Sequence, residues 1–368
     1  KDSSLDIASI SRVTFNLKSI LVLVFSFWAS GVCSSVEQLT PDDKCAFYTL
    51  RVYENYYEVT AFWEAISSTE LEICISRKGI VADALSVAVQ EGNFDAVKTL
   101  LRNGANPNEN GPLISATFQG LNFVNLLLQY DADPNFVDGT GQGALHYSSS
   151  LEIERALLNA GADVSIVGMF GTPLFMAVGD QGSTERVKQY LNYGAKAEQE
   201  FEGRRILFKA YHSCSSSEGT IAALITHGAN PNILDDVADP NAYFIHYLVS
   251  ESGCENDVDA VIRFGGVDVD WRTVKTGVTP LGIAAGRKDM LKTIDTLHQL
   301  GANLNSRNFM GNTPLHSAVQ SARPNNVIRL LELGANAKLK NEDGKTAFDY
   351  ADRIKGSQAY WLLNEARY

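Results

Sequence analysis

Histidine and cysteine are the side chains of this sequence with the widest chemistry, and their spacing decides what they can do. The histidines are His146, His212, His227, His246, His298 and His316; the cysteines are Cys33, Cys45, Cys74, Cys214 and Cys254. A zinc ion held between two neighbouring segments would draw on His212 with Cys214 and His246 with Cys254, but these spacings match no compact zinc pattern. No metal and no other cofactor is expected. Nucleophilic catalysis has no better footing. The sequence lacks a nucleophile elbow Gly-x-Ser-x-Gly, a His-Glu-x-x-His pair and a glycine-rich loop between a strand and a helix. The serine runs Ser148-Ser149-Ser150 and Ser213-Cys214-Ser215-Ser216-Ser217 read as helix ends and turns, and the carboxylates are spread through Asn/Asp-rich turns where capping is their ordinary work. No catalytic residue is expected, and the chain is not expected to be an enzyme.

The remaining chemistry of the cysteines is oxidation, which depends on compartment. Ile20 to Trp28 is an apolar run of nine residues behind Arg12 and Lys18, followed by the small residues Ala29, Ser30 and Gly31. That is the layout of a secretory signal, and it is too short to span a bilayer as a helix. Residues 1–33 are therefore expected to be a signal peptide, with residues 1–12 spurious if the start lies at Val13 or Leu17. Export to a periplasm, cell envelope or the medium is expected, with no membrane span. Ser30-Gly31-Val32-Cys33 resembles a lipoprotein signal, with Val32 standing where that motif wants a small residue, so an anchor on Cys33 is the less favoured alternative to simple cleavage. Beyond Cys33 an even number of cysteines remains, which in an exported chain favours disulfides. The pairing of sequence neighbours joins Cys45 to Cys74 and Cys214 to Cys254; four buried thiols are the alternative.

The elements that must position these residues are written in two recurring phrases. The first is Gly-Ala-Asn/Asp, as in Gly104-Ala105-Asn106-Pro107-Asn108, Gly161-Ala162-Asp163, Gly194-Ala195-Lys196, Gly228-Ala229-Asn230, Gly301-Ala302-Asn303 and Gly334-Ala335-Asn336, with weaker copies at Asp131 and Gly266. The period is near 33 residues. Before each phrase, apolar residues recur at helical spacing, for example Val327-Ile328-Arg329-Leu330-Leu331, so the glycine closes a helix and Asn or Asp turns the chain. The second phrase, about ten residues later, is Gly171-Thr172-Pro173-Leu174, Thr279-Pro280-Leu281, Gly311-Asn312-Thr313-Pro314-Leu315-His316 and Gly344-Lys345-Thr346-Ala347. Threonine before proline is an N-cap before the first helical position, and a second helix starts there.

Turn, helix, helix at this period resembles the ankyrin repeat, over residues 82 to 365. The resemblance implies an all-α solenoid of helix-turn-helix units with short β-hairpin loops, in residues 80–368, with about eight to nine repeats. It also implies that His146 and His316 bond between neighbouring repeats. Irregular copies interrupt the period: 27 residues separate Gly104 from Asp131, and the unit ending at Gly266 is lengthened through Ser250 to Asn256, its Thr-Pro-Leu replaced by Phe244-Ile245-His246-Tyr247. Residues 34–79, rich in aromatics such as Phe47, Tyr48, Tyr56, Tyr57 and Trp63, do not match the repeat and are expected to form a helical cap, because an end repeat otherwise exposes its apolar face.

The same resemblance implies a protein partner, bound on the concave face of hairpin tips and inner helices. Met169, Phe170, Trp271, Phe309 and Met310 stand at hairpin positions expected to point to solvent, the alternative being that Trp271 tucks against its own repeat and only the Phe/Met pairs are exposed; aromatic and Met side chains are enriched at interface cores. The net charge of −12 argues against nucleic acid and anionic lipid, which need a basic face, and favours a basic partner. A monomeric exported scaffold is the expectation; a bacterial envelope immunity-type protein that neutralises a toxic effector, and a secreted host-directed effector, are the narrower alternatives.

Overall fold

The computed structural model describes residues 66–78, 83–179, 183–211, 219–235 and 239–366. The signal-like segment, Cys33, Cys45, His212, Cys214 and most of the expected cap lie outside these. The chain forms two compact units, Lys1–Asp138 with Tyr147–Gly161, and Gly139–His146 with Ala162–Tyr368.

In the first unit the described helices are α1 (Ser68–Lys78), α2 (Ala84–Gln90), α3 (Phe94–Arg102), α4 (Pro112–Gln119) and α5 (Leu121–Gln129), and later in the chain Leu151–Asn159. They pack in two layers, α2 against α4 in one and α1 against α3 in the other, while α5 packs on Leu151–Asn159. Leu71, Leu100, Leu127 and Leu157 are fully buried between the layers.

The second unit holds α6 (Ala144–Tyr147), whose last residue counts with the first unit, so that Leu151–Asn159 is α7. After it come α8 (Pro173–Ala177), α9 (Thr184–Asn192), the hairpin β1 (Glu200–Phe201) and β2 (Arg204–Arg205), α10 (Ile206–Tyr211) and α11 (Thr220–Thr226). The hairpin β3 (Leu234–Asp235) and β4 (Asp239–Tyr243) leads into α12 (Phe244–Leu248) and α13 (Glu255–Arg263). Next are α14 (Pro280–Gly286), α15 (Leu291–Gln299), α16 (Pro314–Gln320) and α17 (Pro324–Glu332), then a 3-10 helix (Ala347–Ile354) and α18 (Gln358–Ala366). First helices pack on first helices (α10, α12, α14, α16) and second on second (α9, α11, α13, α15, α17), each against its sequence neighbour.

The two phrases do the work their residue types suggest. At the end of α15, the Gly301 N–H bonds the His298 carbonyl and the Ala302 N–H reaches back to Leu297, with Gly301 at φ +94; the same pair recurs at Gly104, Gly194, Gly228 and Gly334. These are Schellman closures, and the alanine is buried because it turns inward under the helix end. The next Asn or Asp makes an Asx turn: Asn303 Oδ1 accepts from the Asn305 N–H at 2.9 Å, and Asn230 Oδ1 from Asn232 at 2.9 Å. The residue two positions on reaches the following repeat. Asn305 Oδ1 accepts from the Asn336 N–H at 2.8 Å, an Asp270 carboxylate from Asn303 at 3.1 Å, and in the first unit Asn108 Oδ1 accepts from Asp133 at 2.6 Å. Thr172 and Thr279 cap α8 and α14 by accepting from the Phe175 and Gly282 N–H groups.

The repeat that lost Thr-Pro-Leu keeps its helix by other means. Phe244 is buried and meets Phe208 edge-on at 5.3 Å, while Tyr247 meets Phe208 at 5.5 Å and Tyr211 at 5.8 Å. These aromatic pairs add about 0.5–1.5 kcal/mol each to the burial, and the Tyr243 N–H at the start of the helix is capped by His246 Nδ1 at 3.0 Å.

Candidate functional site

The candidate side chains sit on hairpins whose geometry is set by their own turn residues. Gly168 and Gly171 exchange both backbone hydrogen bonds, at 3.0 and 3.1 Å, which leaves Met169 and Phe170 as the two-residue tip. In the hairpin before α16, the Asn308 N–H bonds the Asn312 carbonyl at 3.0 Å, and Asn308 Oδ1 accepts from both Met310 at 3.0 Å and Asn312 at 2.9 Å. Asn341 repeats this after α17, accepting from Asp343 and Lys345. With the backbone turned this way, Met169, Phe170, Phe309 and Met310 are 59, 56, 59 and 65 % exposed.

Trp271 departs from the sequence expectation: it is half-buried and does not stand out in solvent. Its ring lies on Tyr243 at 4.4 Å and 32°, and its carbonyl accepts from His246 Nε2 at 2.9 Å. The cause is the preceding hairpin, which ends in β4 and presents Tyr243 to it. Three further exposed apolar side chains of the hairpin segments escaped the sequence reading, Val137, Val167 and Val274. A single valine carries little signal there, because valine is ordinary in a strand.

Successive hairpins in the second unit are joined through the backbone. The Val274 N–H donates to the Asn241 carbonyl at 2.8 Å, the Phe309 N–H to Thr276 at 3.0 Å, and the Glu342 N–H to Met310 at 3.0 Å. Two glycines make this approach feasible. A Cβ on Gly277 (φ +66) would stand 2.5 Å from the Phe309 ring, and one on Gly311 (φ +75) would stand 2.8 Å from the Glu342 nitrogen. The Phe309 ring therefore lies directly over Gly277, held in place yet open on its other face.

Buried histidines brace the hairpins from beneath. His316 Nδ1 accepts from the Thr313 N–H at 3.2 Å and hydroxyl at 2.9 Å, so its proton sits on Nε2, which donates to the Lys345 carbonyl at 3.1 Å. His246 does the same between the Tyr243 N–H (3.0 Å) and the Trp271 carbonyl, and His146 accepts from the Gly143 N–H at 3.0 Å. Burial, first, holds His246 and His316 below the usual histidine range. Both nitrogens of His246 are thus engaged, and Cys254 is disulfide-bonded, which removes this pair as zinc ligands. Among the described residues no group of His, Cys, Asp or Glu is arranged to hold a metal ion, and no helix is long and apolar enough to cross a membrane. Cys74, buried on α1, is also disulfide-bonded.

Residues 85–168 match the family model for ankyrin repeats (3 copies), and residues 297–351 the one for ankyrin repeats (many copies). Among curated proteins, the chain is 38 % identical over 98 residues to the "Probable E3 ubiquitin-protein ligase XBOS34" of Oryza sativa subsp. japonica, a stretch of 26 % of this chain and 18 % of that one. It is 30 % identical over 131 residues to the human "Ankyrin repeat and SOCS box protein 6", 34 % of this chain and 30 % of that one. A longer match, 26 % identical over 219 residues, is to the "Putative palmitoyltransferase ZDHHC13" of Danio rerio, 58 % of this chain and 33 % of that one. The chain spans a third or less of the length of each of these relatives.

Proposed function

We propose that this chain, which matches ankyrin repeats over residues 85–168 and 297–351, is a non-enzymatic scaffold, exported from the cytoplasm, that binds a partner protein through the hairpin tips of its second unit. The observation that carries this is the set of exposed apolar tips, Met169, Phe170, Phe309 and Met310, held by turn hydrogen bonds on rigid hairpins. An apolar side chain that is ordered before binding loses little freedom on contact, which is what a hot spot needs. The ligase and transferase activities in the relatives' names belong to those proteins, of which this chain matches only a part. Affinity capture by the mature protein from envelope and culture-supernatant extracts, followed by binding measurements on the captured partner, tests the reading. The Phe170→Ala, Phe309→Ala double variant is expected to weaken binding by about 2 kcal/mol per truncated hot spot, roughly thirtyfold each. Unchanged affinity would place recognition elsewhere. Capture of a toxic effector would narrow the role to immunity.

Export draws support from the signal-like pattern of Ile20 to Gly31 and from the oxidised state of Cys74 and Cys254, since disulfides persist in oxidising compartments. The pairing proposed is Cys45 with Cys74 and Cys214 with Cys254. Mass mapping of a non-reduced digest should recover these two linked peptides, and any other linkage would overturn the pairing.

A further inference from the structure

The hairpin tips do not share the charge of the chain that carries them. On the last three hairpins, Trp271–Val278, Arg307–Asn312 and Lys338–Thr346, the sequence places Arg272, Lys275, Arg307, Lys338, Lys340 and Lys345 against only two carboxylates, Glu342 and Asp343. All six cations are exposed. The carboxylates at the foot of the first of these hairpins are engaged in the turn: Asp268 accepts from the Asp270 N–H and Asp270 from the Asn303 N–H. The sequence of residues 234–243 has the opposite sign, with Asp235, Asp236 and Asp239 and no basic residue.

These cations share their hairpins with the apolar tips. Phe309 lies over Gly277, two residues from Lys275, and Met310 is bonded through its carbonyl to the Glu342 N–H. Arg307 is fastened to the next hairpin by a hydrogen bond from its guanidinium to the Lys340 carbonyl. The backbone bonds from Thr276 to Phe309 and from Met310 to Glu342 make the three tips one continuous row. Within about 8–10 Å, the screening length at physiological salt, a bound segment responds to this local charge and not to the −12 of the whole chain.

We propose that this row docks an acidic polypeptide segment, its carboxylates on Arg272, Lys275, Arg307 and Lys340 and an apolar side chain on Phe309, Met310 and Val274. The proposal rests on the scaffold reading above and replaces, for this face, the basic partner expected from net charge. A nucleic-acid strand is the weaker occupant: Glu342 and Asp343 stand among the cations and repel phosphates, and on these three hairpins Phe309 is the one ring exposed for a base to stack on.

The test uses the purified full chain and three fluorescent probes of equal length: a peptide alternating Glu and Phe, its Lys and Phe counterpart, and oligothymidylate. Anisotropy is read at low and at high salt. The glutamate peptide should bind at least about tenfold more tightly than either other probe, and the preference should shrink as salt rises. Arg272→Glu, Lys275→Glu, Lys340→Glu, with its helical circular dichroism unchanged, should lose that preference and gain affinity for the lysine peptide. Phe309→Ala should weaken the glutamate peptide without changing the charge preference. Equal or tighter binding of the lysine peptide, tighter binding of oligothymidylate, no measurable binding of the glutamate peptide, or an unaffected reversal variant each overturns the proposal. If these arms fail while the Phe170→Ala, Phe309→Ala variant still loses its captured partner, the charge assignment alone falls. If both fail, the assignment of recognition to these hairpin tips falls as well.

Discussion

His316 illustrates how much one side chain does in this fold. Its Nδ1 closes the N-terminus of α16 at Thr313, and its Nε2–H fixes the following hairpin at Lys345; His246 spans the corresponding gap from Tyr243 to Trp271. Only the neutral ring can accept at Nδ1, and burial already lowers both pKa values. For His316, Arg307 lowers the value further and Asp349 opposes it. The sign follows from linkage. A depressed folded pKa means that the unfolded chain binds more protons, so the stability from these rings is fully present above about pH 6.5 and is lost as pH falls from there through the folded values. The urea midpoint should therefore drop between about pH 7 and pH 5.5, and His316→Gln should flatten that slope. Glu152 and Asp163, held below the usual carboxylate range by hydrogen bonds from Ser150 and Ser165, act in the same sense but at lower pH; Asp270, raised by burial, acts in the opposite sense there. A midpoint independent of pH above about pH 5.5 would deny the histidines this role.

Among the elements, the hairpins are the most exacting. Gly311→Ala must place a methyl against the Glu342 backbone at a φ of +75, whereas Gly334→Ala, at φ +98, meets nothing within 4 Å. Both variants bear the conformational cost of a left-handed alanine, about 1–2 kcal/mol, but only the first separates the two hairpins. Thermal unfolding should show a larger loss for Gly311→Ala, and the amide of Glu342 should exchange faster in that variant alone. Equal losses would mean that the hairpin link carries no stability. These elements were legible in the sequence to different degrees. The Gly-Ala-Asn and Thr-Pro phrases announce helix ends because glycine, asparagine and proline each impose a backbone conformation locally. Trp271 was misplaced because its position depends on Tyr243, a contact across two hairpins that no local pattern encodes. The basic row was present in the composition of single hairpins, but its continuity comes from backbone bonds between them.

Within each unit, described helices pack on the equivalent helices of the adjacent repeats, as α13 does on α11 and α15. Stability in such a stack is a sum of repeat and nearest-neighbour terms, so damage stays near its origin. Thr313→Ala, which removes the hydroxyl bonded to His316, should cost about 1 kcal/mol and accelerate amide exchange in α16 and the repeats beside it. Exchange that rises evenly as far as α8 would instead indicate one all-or-none unit.

The Asn and Asp bonds between repeats have a consequence for how such a chain can change length. Asn305 on Asn336 and Asp270 on Asn303 are equivalent joints, each with its acceptor at the same place in one repeat and its donor at the same place in the next. Duplicating or excising a complete repeat leaves each of these joints with a matching counterpart, so the chain can grow or shrink in steps of about 33 residues without leaving their donors and acceptors unmatched. A gain or loss of a few residues within the turn separates donor from acceptor and leaves both unmatched. The additional residues of the longest repeat accordingly include those between Leu248 and Glu255, a loop joining two helices that holds none of these joints. Length variation is thereby channelled into two permitted forms: whole repeats, or the loops between helices.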